Sequence, residues 1–256
     1  MTAATTSSAI PAVAALLLAT AGTLFAQDSA GGWTKQGTSL LFRGSDGSLS
    51  EEIGLVRVEE SVPATVTVKE TRGGVSPNAR FAWTLETSQV FNAERTKLKK
   101  ASGTLRVYGS GGQPLWDAPS EAAPEGVDPV LFSDDGETLL VARREAKGWI
   151  AEARSYVGAV QIAVGPMAKL QMLVLVPNGR YALVRWSVPD ESATHTFFDI
   201  PAKRRVDIPS GELYLGLAKI TPEGQVFSGK KLVYDFAKAA EPVAVSTPTA
   251  SGAPKP

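Results

Sequence analysis

Few residues in this chain could do chemistry, and their spacing limits what they could do. His195 is the single histidine. It stands in Thr194-His195-Thr196-Phe197-Phe198-Asp199, which reads as a strand. With period two, His195 shares a face with Phe197 and Asp199, and Phe198 and Ile200 take the other. An imidazole there could act as a general base or a metal ligand. With no second histidine, the expectation is a strand residue with an ordinary partner. Asp134, Asp135 and Glu137 crowd one short stretch. Calcium takes several oxygen ligands, yet no full calcium loop surrounds these three. Aspartate is a common turn residue, and they are read as turn formers. Arg95, Lys97, Lys99 and Lys100 make the one basic cluster. It could meet an acidic partner or lipid headgroups, and a solvated loop is the default. These seven positions (His195, Asp134, Asp135, Arg95, Lys97, Lys99 and Lys100) are the candidate binding or loop residues. None is assigned a catalytic, cofactor or metal role.

The chemistry that is missing narrows the classes. The chain has no cysteine, which removes disulfides, thiolate metal sites and cysteine nucleophiles. Gly109-Ser110-Gly111-Gly112 and Gly44-Ser45-Asp46-Gly47 do not match the Gly-x-Ser-x-Gly nucleophile turn and fall where hairpins turn. There is no phosphate loop, dinucleotide fingerprint or zinc signature, so no cofactor is expected. Asp128, Asp190, Glu191, Asp207 and Glu212 are loop acids. Two of them at the right separation could cleave a glycoside, but no spacing selects a pair. Lys+Arg and Asp+Glu balance at 26 each, so no positive field favours nucleic acid.

The elements that must position these residues are short strands. The 256 residues are 43% hydrophobic, with 24 Gly and 17 Pro punctuating them, a pattern of strands and turns. Residues 1–26 carry no charged side chain and hold a short apolar run from Ala12 to Ala21. They read as a cleaved signal peptide, which predicts a secreted or periplasmic bacterial protein. Membrane contact is not expected apart from that leader. Residues 27–38 read as a flexible lead-in. Residues 39–53 read as a hairpin about Ser45-Asp46-Gly47, and 54–60 and 64–70 as half-buried strands. Residues 88–102 read as an insertion, a short helix or basic loop. The Ala/Pro-rich tail, 237–256, is expected to be disordered.

One phrase recurs. Ser76-Pro77-Asn78-Ala79, Ser133-Asp134-Asp135-Gly136, Val176-Pro177-Asn178-Gly179 and Thr221-Pro222-Glu223-Gly224 each precede an apolar strand, at intervals of 57, 43 and 45 residues. Such a period is that of propeller blades, each a four-stranded sheet. The phrases FSDDGETLLVA and VPNGRYALVRW resemble the blade motif of TolB-like and related WD-repeat-like β-propellers, over roughly residues 75–236. Ala79 stands where a glycine is usual, the second copy lacks proline, and Trp116-Asp117 has no partner copies. The resemblance implies an all-β fold, a propeller-like array of about four to five four-stranded blades, closed or partly open, over 39–236. It does not imply an activity, because propellers host many. The expected function is a secreted, non-catalytic binding or scaffold module for a protein or cell-envelope component. The alternative is a propeller hydrolase or lyase, glycosidase- or lactonase-like, that uses loop carboxylates. A surface protein tethered by the tail is a third reading. The oligomeric state is open.

Overall fold

The computed structural model describes residues 31–189 and 192–238. The expected signal peptide, most of the tail, Asp190 and Glu191 lie outside the described residues. All described regular structure is β, apart from two 3-10 turns at Ser210–Glu212 and Tyr214–Gly216.

Five antiparallel sheets follow one another along the chain. The first is β1 (Gly32–Gln36), β2 (Ser39–Arg43) and β3 (Leu49–Gly54). The second is β4 (Arg57–Val62), β5 (Thr65–Val75), β6 (Ala82–Asn92), β7 (Leu98–Tyr108) and β8 (Pro114–Pro119). The third is β9 (Val130–Phe132), β10 (Thr138–Glu145), β11 (Gly148–Ser155) and β12 (Val160–Met167). The fourth is β13 (Lys169–Leu175), β14 (Tyr181–Ser187), β15 (Thr194–Asp199) and β16 (Arg204–Pro209). The fifth is β17 (Lys219–Ile220), β18 (Gln225–Ser228) and β19 (Lys231–Asp235). Every pairing joins strands consecutive in sequence, so the array is a series of meanders, and the fold is all-β and propeller-like. Four-stranded sheets are realised in the third and fourth. The second has five strands, and the first and fifth have three each.

Four apolar clusters fill the four gaps between successive sheets. Trp33, Leu40 and Phe42 meet Ala82 and Tyr108 between the first and second. Trp83, Leu85, Leu105 and Val107 meet Leu139 and Val141 between the second and third. Leu140, Ala151 and Met167 meet Leu173, Val184 and Phe198 between the third and fourth. Leu183 and Phe197 meet Val226 and Phe236 between the fourth and fifth. Phe197 and Phe198 point to opposite faces of β15, so one strand feeds two clusters. Burying each contributes about 1.5–3 kcal/mol.

The recurring turns lie between β5 and β6, β9 and β10, β13 and β14, and β17 and β18. They also touch one another. Asn78 Nδ2 donates to the Asp135 carbonyl (2.6 Å) and Asn178 Nδ2 to the Pro222 carbonyl (3.0 Å). The Asp134 amide donates to the Pro177 carbonyl (2.8 Å). Each turn glycine lies beneath the residue that opens, or directly precedes, the strand after the preceding turn. A Cβ on Gly136 would stand 2.6 Å from the Phe81 ring, and one on Gly224 would stand 2.4 Å from the Tyr181 ring. Both glycines have positive φ, 74° and 82°, so a side chain is refused by conformation and by space.

Two expectations are corrected. The lead-in 27–38 contains β1, and its Trp33 is wholly buried, its indole N–H donating to the Gly109 carbonyl (2.9 Å). The helix or basic loop at 88–102 is the distal half of two 11-residue strands, β6 and β7, paired from Ala82↔Tyr108 to Phe91↔Leu98. The strand alternation there is hidden by Lys97, Lys99 and Lys100. Lys97 stands in the turn before β7, and Lys99 and Lys100 occupy a stretch of β7 that β8 does not pair, because that pairing covers only Thr104 to Tyr108. Charged side chains on such an edge discourage pairing with another chain.

Candidate functional site

The site lies where β1, β5 and β9, from the first three sheets, approach one another. A cleft of about 340 Å³ is bounded by Lys35 of β1, Gly73 to Val75 of β5, Trp83, Asp128 and Val130 to Phe132 of β9. Pro77 and Leu175 complete its lining. The Thr71 amide donates to the Val56 carbonyl (2.7 Å), on the side of β5 away from β6. Peptide groups alternate along a strand, so Gly73 and Val75 turn their N–H and C=O to that side as well. Lys35 Nζ donates to the Gly73 carbonyl (3.1 Å). In β9 the Pro129 carbonyl and the Ser133 amide bond to β10 residues, at 2.7 and 2.9 Å. Val130 and Phe132 therefore direct their peptide groups away from β10. Two strand edges thus border one cleft. Gly74 keeps the wall low, since a Cβ there would come within 2.6 Å of Trp83 Nε1.

The cleft offers one ammonium, one carboxylate, an indole and main-chain donors and acceptors. That set can hold an extended polar chain with an apolar side group. No paired carboxylates and no hydroxyl–imidazole couple line it. Among the described residues, no group of three His, Cys, Asp or Glu could hold a metal ion.

The sequence candidates fall elsewhere. His195 is completely buried in β15, stacked on Phe197, with Nδ1 3.2 Å from Ser210 Oγ. Burial, and then the cation of Arg185 across the strand pair, push its pKa from 6.5 down to about 4. It is a neutral core residue at neutral pH, and among the described residues no carboxylate orients it. Asp135 accepts hydrogen bonds from Ser133 Oγ (2.5 Å) and the Glu137 amide (3.0 Å), which hold its carboxyl below the usual range. Asp134 contributes its amide to the turn ladder. Both are turn formers. Arg95 pairs with Glu59 at the β6–β7 turn, and Lys99 Nζ approaches the Ala64 carbonyl (3.4 Å). Lys97, in the turn before β7, and Lys100, on β7, are exposed. None of the four cations lines the cleft.

Of the described loop acids, Asp128 alone lines the cleft. Asp207 accepts from Thr196 Oγ1 (2.6 Å) and pairs with Arg205 (3.0 Å). Of the five tryptophans, Trp33, Trp83 and Trp149 are buried, and Trp116 and Trp186 are half-buried. Sequence reasoning missed Lys35, which sat in the supposed lead-in, and the wall formed by Gly73 and Gly74. The alternation of Trp33 and Lys35 around polar residues was the available signal for β1.

A buried ionic group on β11 is structural. Glu152 is almost fully buried on β11, between Arg143 (2.9 Å) and Arg154 (2.6 Å). Burial alone would push its carboxyl up, but the two guanidinium groups hold it below the usual range. Arg154 also lies 5.0 Å from the centre of the Trp116 ring, so the network ties the third sheet to the second.

No family model matches the chain, and no curated protein does. Similar solved structures include dipeptidyl peptidase 4 from Porphyromonas gingivalis, at 10% identity and TM-score 0.42, over 78% of this chain and 34% of that one. TolB from Acinetobacter baumannii is similar at 9% identity and TM-score 0.30, over 77% of this chain and 72% of that one. The dihydro-heme d1 dehydrogenase NirN is similar at 13% identity and TM-score 0.33, over 69% and 55%. The chain spans about a third of the length of the peptidase. No helix of the described residues is long and apolar enough to cross a membrane. The resemblance to TolB and to these other structures is one of fold alone.

Proposed function

We propose that this chain is an exported, non-catalytic, propeller-like binding module whose five sheets serve as blades. Its ligand is an extended segment of a protein or cell-envelope component, held in the cleft between β5 and β9. The observation that carries the reading is the pair of strand edges bordering one cleft, with Lys35 and Asp128 at its rim. An added strand hydrogen-bonds to such an edge through its main chain, and side-chain pockets supply selectivity. Trp83 and Phe132 supply the apolar surface, and the opposite charges of Lys35 and Asp128 set the direction of the bound chain. A hydrolase would need a second carboxylate facing Asp128, and among the described residues that line the cleft there is none.

The test is photo-cross-linking from position 35 in cells that export the full chain. One recurrent protein or envelope adduct is expected, and it should be lost in Asp128→Arg. Absence of any adduct, or turnover of a sugar or lactone substrate by the purified chain, would overturn the reading.

A further inference from the structure

A second hollow, of about 620 Å³, lies on the fifth sheet, far from the cleft in sequence. Its walls are Glu212 and Tyr214 on one side and Lys230, Lys231 and Val233 on the other. The Tyr214 ring is 68% exposed, more than any other large hydrophobic residue described. Its backbone is nonetheless fixed. The Tyr214 amide donates to Ser228 Oγ, which donates in turn to the Leu217 carbonyl (3.2 Å). Leu213, the preceding residue, is buried in the core between the fourth and fifth sheets. The turns close through Leu213 N to Ser210 O (3.1 Å) and Gly216 N to Leu213 O (3.0 Å). An aromatic ring on a rigid support, left in solvent, is a surface on which a ligand can stack without first ordering the protein. The β18–β19 turn brings the cations beside it. Gly229 takes φ of 60°, and a Cβ there would stand 3.3 Å from the ring. Lys230 and Lys231 follow directly and are exposed.

We infer that this hollow binds a saccharide that carries carboxylate groups. The apolar face of a pyranose ring stacks on Tyr214, and its carboxylate meets Lys230 and Lys231 as a charge-assisted pair. The sugar hydroxyls donate to Glu212, whose negative charge disfavours a densely anionic ligand such as a polyphosphate. A hollow of this size is in the range of small-ligand sites. The site is separate from the β5–β9 cleft and gives the module a second grip on an envelope polymer.

The test is calorimetric titration of the full exported chain with tetragalacturonate, beside maltotetraose and tetraglutamate. Saturable binding of tetragalacturonate is expected, at least tenfold tighter than that of either control, and weakening as salt rises. Tyr214→Ala should weaken it at least tenfold and Tyr214→Phe less than twofold. Lys230→Ser with Lys231→Ser should weaken it at least tenfold, and Lys97→Ser, at an exposed lysine that lines neither hollow, should leave it unchanged. All of these side chains are exposed, and the phenylalanine variant keeps the ring if the alanine variant loosens the turn. Absence of saturable binding, equal binding of tetraglutamate, or indifference to Tyr214→Ala would each overturn the assignment. Loss on Lys35→Ala would instead place the sugar in the cleft.

Discussion

The strands β5 and β9 take part in two regions that treat hydrogen bonds in opposite ways. Where they end, they run into the turn ladder. There the side chains of Asn78 and Asn178 and the amide of Asp134 reach carbonyls of the next turn, and the glycines admit the neighbouring rings. Along their inner edges the same strands turn peptide groups toward the cleft, where Lys35 takes a single carbonyl. The first region uses its polar groups to fix one sheet against the next. The second keeps them for something outside the chain. A recurring motif can therefore set architecture while function sits a few residues away, on main chain that the motif does not specify.

The sharpest way to break this contrast is to spoil the ladder. Gly136→Val places a β-branched side chain at φ of 74° and against Phe81. Strain and overpacking should cost about 3 kcal/mol in urea unfolding. An equal loss from Gly37→Val, where φ is 58° but no atom lies near, would show that conformation alone, not turn-to-turn packing, is at stake.

The fourth sheet offers a second probe, since its buried His195 is as enclosed as the ladder. Its folded pKa lies near 4, below the ordinary 6.5. The unfolded chain therefore takes up a proton first as pH falls. The stability tied to neutral His195 is fully present above pH 6.5 and is lost as the pH drops toward 4. The loss over that window is at most about 3 kcal/mol. Because the chain has one histidine, thermal melts of His195→Leu against wild type should show this slope flattened. Glu152, whose folded pKa is depressed, acts in a separate window. Its contribution is present above its unfolded value and is lost at more acidic pH.

The smallest effect is expected at the open edge of β7. Lys97, Lys99 and Lys100 are exposed, and changing all three to Ser should alter unfolding free energy by less than about 0.5 kcal/mol per site. Sedimentation should then show whether the triple variant self-associates, as an edge stripped of charge would.

Much of the fold was legible because turn chemistry is local. Pro77, Asn78, Gly136 and Gly179 mark their corners by the backbone angles that they favour, and their spacing indexes the sheets. The β6–β7 extension was not legible, since its alternation is broken by lysines and by a register shift beside Phe91. β1 was masked by the glycines and polar residues around Trp33. The cleft was the least legible part. It is assembled from five separate segments, and its working groups are peptide N–H and C=O, which residue type does not reveal. His195 and the Asp134–Asp135 pair drew attention by residue type, and burial and hydrogen bonding turned both into structural parts.

Amide hydrogen exchange followed by NMR tests the contrast most directly. The Asp134 amide, bonded across two sheets, should exchange only through opening that approaches global unfolding. The amides of Gly73, Val75, Val130 and Phe132 should exchange at least a hundredfold faster in the free chain. Rapid exchange at Asp134, or equal protection of the four cleft amides, would contradict the account.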